Sequence, residues 1–293
     1  MDRLLKIISK DKGMRMYIAD TKELVEDART KHKTTKVVTA ALGRTLTANA
    51  LIGADLKNET DSVSIQFRTI GPIGNIITHS DANCEVKGYV TNPKVDLPLK
   101  PNGKLDVSGA LTLDGSLTVV KDIGLKEPYT GTIPLVSGEI AEDITYYYAK
   151  SEQIPTSVAL GVLVDKDTGT VLTAGGMMIQ LMPDADDEMI EKLEKVLSAG
   201  FTMTDLLTQK ESLEEIAEYI LKDIPYEILS ECTPVFKCDC SKTRFTNGLI
   251  SLGKKELKEM IDEGKGIETV CHFCNKNYLF TVDELKKLNK KIK

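Results

Sequence analysis

Apolar and polar residues alternate with a period of two in Ser62-Val63-Ser64-Ile65-Gln66-Phe67, the pattern of a strand with one buried face. Val158, Leu160, Val162 and Val164 alternate in the same way. Asp165-Lys166-Asp167-Thr168-Gly169 follows as a turn and residues 171–181 as a second apolar run, so a hairpin is predicted. Asn102-Gly103 and Asp114-Gly115 are further turn signals, with Leu105, Val107, Leu111, Leu113, Leu117 and Val119 as strand material around them. Residues 37–56 differ: they are rich in Ala and Leu and lack Pro, which predicts one long helix against the sheet. Residues 1–183 therefore read as an α+β domain.

The pattern changes at Met182-Pro183-Asp184. Met189, Ile190, Leu193, Val196 and Leu197 fall at helical spacing, with Asp184, Asp186 and Asp187 at the end where the helix dipole favours negative charge. After Ala199-Gly200-Phe201 a second short helix opens at Ser212, where Ser212 and Glu215 have the spacing of a capping box. Leu213, Ile216, Ala217, Ile220 and Leu221 form its apolar stripe. Helices this short are marginal in water, so their order must come from what they pack against. Residues 184–231 thus read as a metastable helical linker. From residue 232 a third region is predicted, with a helix over 256–261, a strand at Tyr278-Leu279-Phe280 and a final helix capped by Thr281 and Glu284.

Composition adds little for the whole chain and much for its parts. The chain has 293 residues, 41% hydrophobic and 28% charged, ordinary for a soluble globular protein. No apolar run approaches the roughly 20 residues that span a bilayer, and Met1-Asp2-Arg3-Leu4-Leu5-Lys6 puts charges where an export signal needs apolar residues. A cytoplasmic location without membrane association is expected. The net charge of −6 is unevenly spread. Residues 184–231 hold 4 basic and 14 acidic side chains, a net of −10, while residues 232–293 hold 13 basic and 8 acidic, a net of +5.

The chemistry resides in cysteines. Cys238 and Cys240 form a C-x-C, and thirty residues later Cys271 and Cys274 form a C-x-x-C. Two close thiol pairs are what a tetrahedral Zn2+ site needs, each supplying one edge. A region of some sixty residues buries little apolar surface, and one zinc ion would supply the missing stability. His272, inside the C-x-x-C, competes for a ligand position, but adjacent side chains point apart and the two cysteines already complete the pair. Cys232 reads as a linker cysteine or a reserve thiol, and Cys84 as an ordinary packed or surface residue. Metal-held thiolates are also what oxidants attack, and each close pair can close into a small disulfide loop, so sulfur chemistry could act as a folding switch. The three histidines (His32, His79, His272) show no catalytic pattern, the first two reading as surface residues. Glu139, Glu142 and Asp143 could serve as acid/base groups, yet Ser137-Gly138-Glu139-Ile140 reads at least as well as a turn into structure, and no enzyme is expected. Met177 and Met178 lie in Ala174-Gly175-Gly176-Met177-Met178-Ile179-Gln180-Leu181-Met182, either sheet core or an adaptable apolar surface.

The chain resembles the heat-shock protein 33 family of redox-regulated holdase chaperones. The segments that carry the resemblance are Ala41-Leu42-Gly43-Arg44-Thr45-Leu46-Thr47-Ala48, Gly71-Pro72-Ile73-Gly74, Gly88-Tyr89-Val90-Thr91-Asn92-Pro93, Ser137-Gly138-Glu139-Ile140-Ala141-Glu142-Asp143, Ser151-Glu152-Gln153-Ile154-Pro155, Ala174-Gly175-Gly176 and Cys271-His272-Phe273-Cys274. They stand in the family's order and span essentially the whole chain. The resemblance implies that Cys238, Cys240, Cys271 and Cys274 hold one zinc in a reduced, inactive state. It implies that oxidation forms Cys238–Cys240 and Cys271–Cys274 disulfides and releases the metal. The linker then unfolds, the chain forms a homodimer, and unfolding client proteins are held without ATP. Met177, Met178, Leu193, Val196, Leu213, Ile216 and Ile220 are the candidate client-binding residues. The alternative is a zinc-ribbon nucleic-acid-binding protein with a basic tail, against which the tail's few aromatics, Phe236, Phe245, Phe273, Tyr278 and Phe280, sit where a small core needs them.

Overall fold

The alternating segments become antiparallel strands of two sheets. The computed structural model describes residues 1–292 and divides into two compact units, Met1–Lys237 and a second beginning at Cys238. The first unit opens with β1 (Arg3–Ser9), β2 (Met14–Asp20), α1 (Lys22–His32) and α2 (Lys36–Gly53). Next come β3 (Ser62–Thr69), β4 (Ile76–Asp81), β5 (Glu85–Val90), α3 (Val107–Leu111), β6 (Gly115–Asp122), β7 (Tyr129–Pro134) and α4 (Ala141–Tyr147). A π-turn over Tyr148–Glu152 leads to β8 (Thr156–Val164) and β9 (Val171–Leu181). Three short helices follow, α5 (Asp187–Leu197), α6 (Met203–Gln209) and α7 (Leu213–Leu221), and then β10 (Tyr226–Cys232) and β11 (Val235–Phe236).

One sheet has the strand order β10-β1-β2-β9-β8 and the other β11-β5-β4-β3-β6-β7. The expected hairpin is present as β8 and β9, paired from Thr156↔Gln180 to Val164↔Val171. The expected long helix is α2, buried at nearly every position between the two sheets. A helix apolar all round, with small Ala, Thr and Gly side chains, can be sandwiched in this way. Its Leu42, Leu46 and Leu51 share the main core with Tyr17, Ile65, Phe67 and Tyr147.

Several expectations change. Val107 and Leu111 are helical: the Asp106 carboxylate accepts from Gly109 N at 2.9 Å, and Val107, Ala110 and Leu111 bury one face of α3. The two-residue spacing was ambiguous, and the cap decides it. Only Leu117 and Val119 of that set are strand residues, in β6. His32 is buried in α1, its ring edge-on to Phe236 at 6.2 Å, rather than on the surface. His79 is half-buried, paired with the Ser64 hydroxyl at 3.0 Å. Residues 232–237 belong to the first unit rather than to the cysteine domain, because β11 runs parallel to β5 and Cys232 is bonded to Cys84.

The second unit holds α8 (Lys242–Ser251), α9 (Lys254–Asp262), the hairpin β12 (Ile267–Val270) and β13 (Asn277–Phe280), and α10 (Val282–Lys291). Its core is small: Leu249, Leu257, Tyr278, Phe280, Leu285 and Leu288. The capping box predicted at Thr281 and Glu284 is present at the start of α10.

Candidate functional site: a four-thiol centre and a covered sheet face

Strand alternation places the next residues. β2 and β9 are central strands, so successive side chains point to opposite faces, both covered. Tyr17, Ala19 and Met178 join the main core with α2, while Met14, Met16, Ile18, Met177 and Ile179 face the other way with Leu5 and Ile7 of β1. That second face is sealed by α5, α6 and α7 through Met189, Leu193, Met203, Leu206, Leu213, Ile216, Ile220 and Leu221. The seal is close at α6. A Cβ on Gly175 would stand 2.6 Å from Leu207 Cδ1, and one on Gly161 2.9 Å from Thr204 N, so the glycines of β8 and β9 let the helix seat on the sheet.

Each covering helix carries its own start signal. Asp186 accepts from Met189 N at 2.8 Å, Thr202 from Asp205 N at 3.1 Å and Ser212 from Glu215 N at 3.2 Å. The box expected at Ser212 is half-formed, because the Glu215 carboxylate turns to Glu211 N at 3.2 Å. The segment holds three helices where two were expected, since residues 203–209 lack a long enough apolar repeat to be read alone. Arg3 fastens the cover, reaching Glu214 of α7 at 2.7 Å and Glu231 of β10 at 2.6 Å. These ion pairs are more than a third exposed, so apolar burial and not charge holds the layer down.

Of the candidate client-contact residues, Met177, Leu193, Leu213, Ile216 and Ile220 meet in this second cluster, and Val196 packs against it half-buried. Met178 does not join them. It lies on the opposite face of β9, one residue out of phase.

The four thiols come together in the second unit. The β12–β13 hairpin turns through Cys271 and Cys274: Cys271 N donates to Lys276 O at 3.0 Å and Asn275 N to Cys271 O at 2.7 Å, with Asn275 left-handed at φ 57°. Cys238 and Cys240 arrive just before Ser241, which caps α8 by accepting from Arg244 N. All four Sγ atoms lie within 4.8 Å of one another, Cys238–Cys271 at 3.7 Å and Cys240–Cys274 at 3.4 Å. Zn–S bonds of about 2.3 Å set tetrahedrally put sulfurs about 3.8 Å apart, so a zinc ion fits this cage. His272 is exposed and outside the group.

Electrostatics distinguishes the thiols. Burial pushes Cys238 and Cys274 up from their ordinary range. At Cys240 burial acts the same way, but hydrogen bonds from Tyr278 and neighbouring thiols outweigh it and bring Cys240 down. The Tyr278 hydroxyl lies 3.1 Å from Cys240 Sγ and donates to Cys240 O at 2.9 Å. Its hydrogen bond with Cys240 pushes that hydroxyl up to about 12.

Matches to known proteins agree over nearly the full length. The family model described as Hsp33 protein matches residues 2–281. The chain belongs to the Hsp33 family. An Hsp33-family relative from Clostridioides difficile, named 33 kDa chaperonin, is 47% identical over 291 residues, covering 99% of both chains. One from Bacillus licheniformis with the same name is 46% identical over 292 residues, covering 100% of both. The solved Hsp33 homolog of Thermotoga maritima, also titled a 33 kDa chaperonin, superposes with a TM-score of 0.90 at 38% identity over 98% of this chain and 97% of that one. Membership places the chain among chaperones, with the α+β fold and four-cysteine cluster expected of it. Among the described residues no helix is long and apolar enough to cross a membrane.

A second sulfur feature was missed in the sequence. Cys84 and Cys232 form a disulfide, 148 residues apart. Cys84 is packed, as one of its two readings has it, but disulfide-bonded, and Cys232, read as a linker cysteine or a reserve thiol, is its partner. Nothing in the spacing signals the pair, and the cytosolic reading argues against a disulfide.

Proposed function

We propose that this protein is a cytoplasmic, ATP-independent holdase switched by oxidation of its four-thiol centre. The observation that carries the proposal is the apolar sheet face of Met14, Met16, Ile18, Met177 and Ile179, sealed by three short acidic helices. Polarizable methionines can adapt to varied apolar partners once such a face is uncovered. The covering segment also precedes the thiol centre in the chain, with only β10 and β11 between them.

In the resting state Cys238, Cys240, Cys271 and Cys274 would hold one Zn2+, which would keep the four sulfurs as thiolates and cross-link a unit whose own core is small. Hypochlorous acid is a suitable oxidant. One thiolate takes its chlorine as a sulfenyl chloride, releasing hydroxide, and the second thiolate of the pair displaces chloride to form the S–S bond. Two molecules of oxidant therefore convert four thiolates into Cys238–Cys240 and Cys271–Cys274, with four electrons passing to chlorine. Disulfide sulfurs bind metal weakly, so the four residues would no longer hold the ion, and two small loops replace a cross-link between the start of the unit and its hairpin turn.

Residues 184–231, with a net charge of −10, then favour an extended state. The uncovered face and the freed stripes of Leu193, Val196, Leu213, Ile216 and Ile220 bind apolar surface of unfolding proteins and a second copy of the chain. Met178 takes no part, being in the other core. The nucleic-acid reading gains no support, since Tyr278 and Phe280 are buried in the small core and Phe245 packs on Tyr278 at 4.9 Å. Light scattering from a heat-unfolding client tests the proposal, with the protein added either zinc-loaded and reduced or pretreated with hypochlorite. Suppression by the oxidised form alone is expected; equal suppression by both, or by neither, rejects the switch.

A further inference from the structure

The two cysteines outside the tetrad occupy a mechanically significant place. Cys84 ends the turn between β4 and β5, fully buried, with φ 59°. The Asp81 carboxylate holds that turn by accepting from Asn83 N at 2.9 Å and Glu85 N at 3.0 Å. Cys232 is the last residue of β10, opposite Leu4 of β1 at the edge of the five-stranded sheet. The bond between them therefore ties the edge of one sheet to the six-stranded sheet. Beyond it the chain stays on that second sheet: Val235 N donates to Cys84 O at 3.1 Å and Lys237 N to Val86 O at 2.9 Å.

The covering helices α5 to α7 are thus fastened at both ends, by β9 on one side and by Cys232 on the other. β10 itself is poorly anchored. Most of its side chains face solvent, and only β1 pairs with it. Without the disulfide, the ladder to β1, the half-exposed Arg3–Glu231 ion pair, the short β11 pairing and the packing of Phe236 on His32 would be left to stop unfolding of the cover from running on through residues 226–237.

We propose that Cys84–Cys232 is a second redox site, chemically independent of the four-thiol centre, that sets the downstream limit of the segment able to unfold. Two thiols lose two electrons and two protons to form the bond. Hydrogen peroxide accepts them as two waters, or a low-molecular-weight disulfide accepts them by exchange and leaves as two thiols. The full burial of Cys84 shields the closed bond from reductants while β10 is in place. With the bond formed, the opened cover is a loop held at both ends on the first unit; with it reduced, β10 and β11 peel away as well. The limit on unfolding rests on the proposed switch, but the stapling of β10 does not.

The first test uses the zinc-loaded, reduced full chain treated with oxidised glutathione. Mass spectrometry after differential alkylation should show Cys84 and Cys232 joined while zinc stays at one per chain. Metal loss in step with this bond, or no such bond, overturns the independence of the site. The second test measures amide hydrogen exchange over residues 226–232 in the same zinc-loaded chain with the bond closed and then reduced. Exchange at least tenfold slower with the bond closed is expected, and equal rates overturn the staple whatever the fate of the switch. The third compares Glu-specific proteolysis of hypochlorite-treated wild type and the Cys84→Ser/Cys232→Ser double variant. Wild type should be cut in α5 to α7 and spared at Glu227 and Glu231, whereas the variant should be cut at both; identical maps with cuts in α5 to α7 overturn the proposed limit. Absence of cuts in α5 to α7 in either protein instead rejects the switch, and the exchange measurement then decides the staple alone.

Discussion

Replacing Ile216 by Ala should open the cover without any oxidant. Ile216 lies at the centre of the α7 stripe, 1% exposed, against the sheet face of Met14, Met16 and Met177. Removing a buried isoleucine side chain to Ala costs about 2–5 kcal/mol, the transfer energy of the lost carbons plus the cavity left behind. The cost falls on a layer with little stability of its own, since a nine-residue helix is marginal in water and depends on this packing. Local opening of such a layer needs less free energy than unfolding of the whole unit. A loss of about 3 kcal/mol raises the open population about 150-fold. Glu-specific proteolysis of the zinc-loaded, reduced protein reads that population when closing outpaces cleavage, with Glu191, Glu194, Glu214, Glu215 and Glu218 as sites. The expected result is cleavage about 150-fold faster at these sites, together with suppression of client aggregation in the absence of oxidant. Met178→Ala is the control. It creates a cavity on the opposite face of the same strand, so it should lower the melting temperature and leave the cleavage map unchanged. If Ile216→Ala instead spreads cuts evenly over residues 1–237, the cover opens only with the whole unit, and the separable-layer reasoning is refuted.

Other perturbations probe the metal centre and the body of the fold. Cys271→Ser removes one edge of the thiol cage, so metal content should fall below one per chain and residues 238–292 should become protease-sensitive; unchanged metal and protease resistance would exclude the four-ligand assignment. Tyr278→Phe removes the hydroxyl beside Cys240 and should lower zinc affinity about 10- to 100-fold in a chelator competition, with slower alkylation of Cys240 in the metal-free protein, since the hydrogen bond that brings this thiol down is lost; equal affinity would make Tyr278 a core residue only. Glu139→Gln bears on pH dependence. Burial opposes ionisation of Glu139, but the Lys100 hydrogen bond and the Arg44 charge outweigh it and hold the carboxyl below its ordinary range. A group with a depressed folded pKa stabilises above its unfolded pKa and loses that contribution as pH falls through the folded value. Wild type should therefore exceed the variant by about 1.5–3 kcal/mol at pH 7, and the gap in denaturant midpoints should close as pH falls below about 4. A gap independent of pH would remove the ion pair as its cause.

The patterns legible in the sequence were those with a short period. Two-residue alternation located β3 and the β8–β9 hairpin, an uninterrupted Ala- and Leu-rich stretch located α2, and the apolar stripes of α5 and α7 were visible, the latter with its cap at Ser212. The thiol cage was legible for the same reason: each pair is local, and the chemistry of zinc demands that the two pairs meet. β1 and β2 were not read, because strands covered on both faces lose their alternation, as in Met14-Arg15-Met16-Tyr17-Ile18-Ala19.

By itself, the sequence determined which segments are helix or strand where a local period exists, which residues belong to the family's motifs, and which four sulfurs can share a metal. Tertiary structure decided what each apolar side chain faces. Met177 and Met178 are neighbours of one type, yet one lies under the covering helices and the other against α2, because strand geometry sends successive side chains to opposite faces and only packing decides which face meets what. It also decided that Cys84 meets Cys232 across 148 residues, where no local spacing carries the information and only the closure of two sheets brings the sulfurs together.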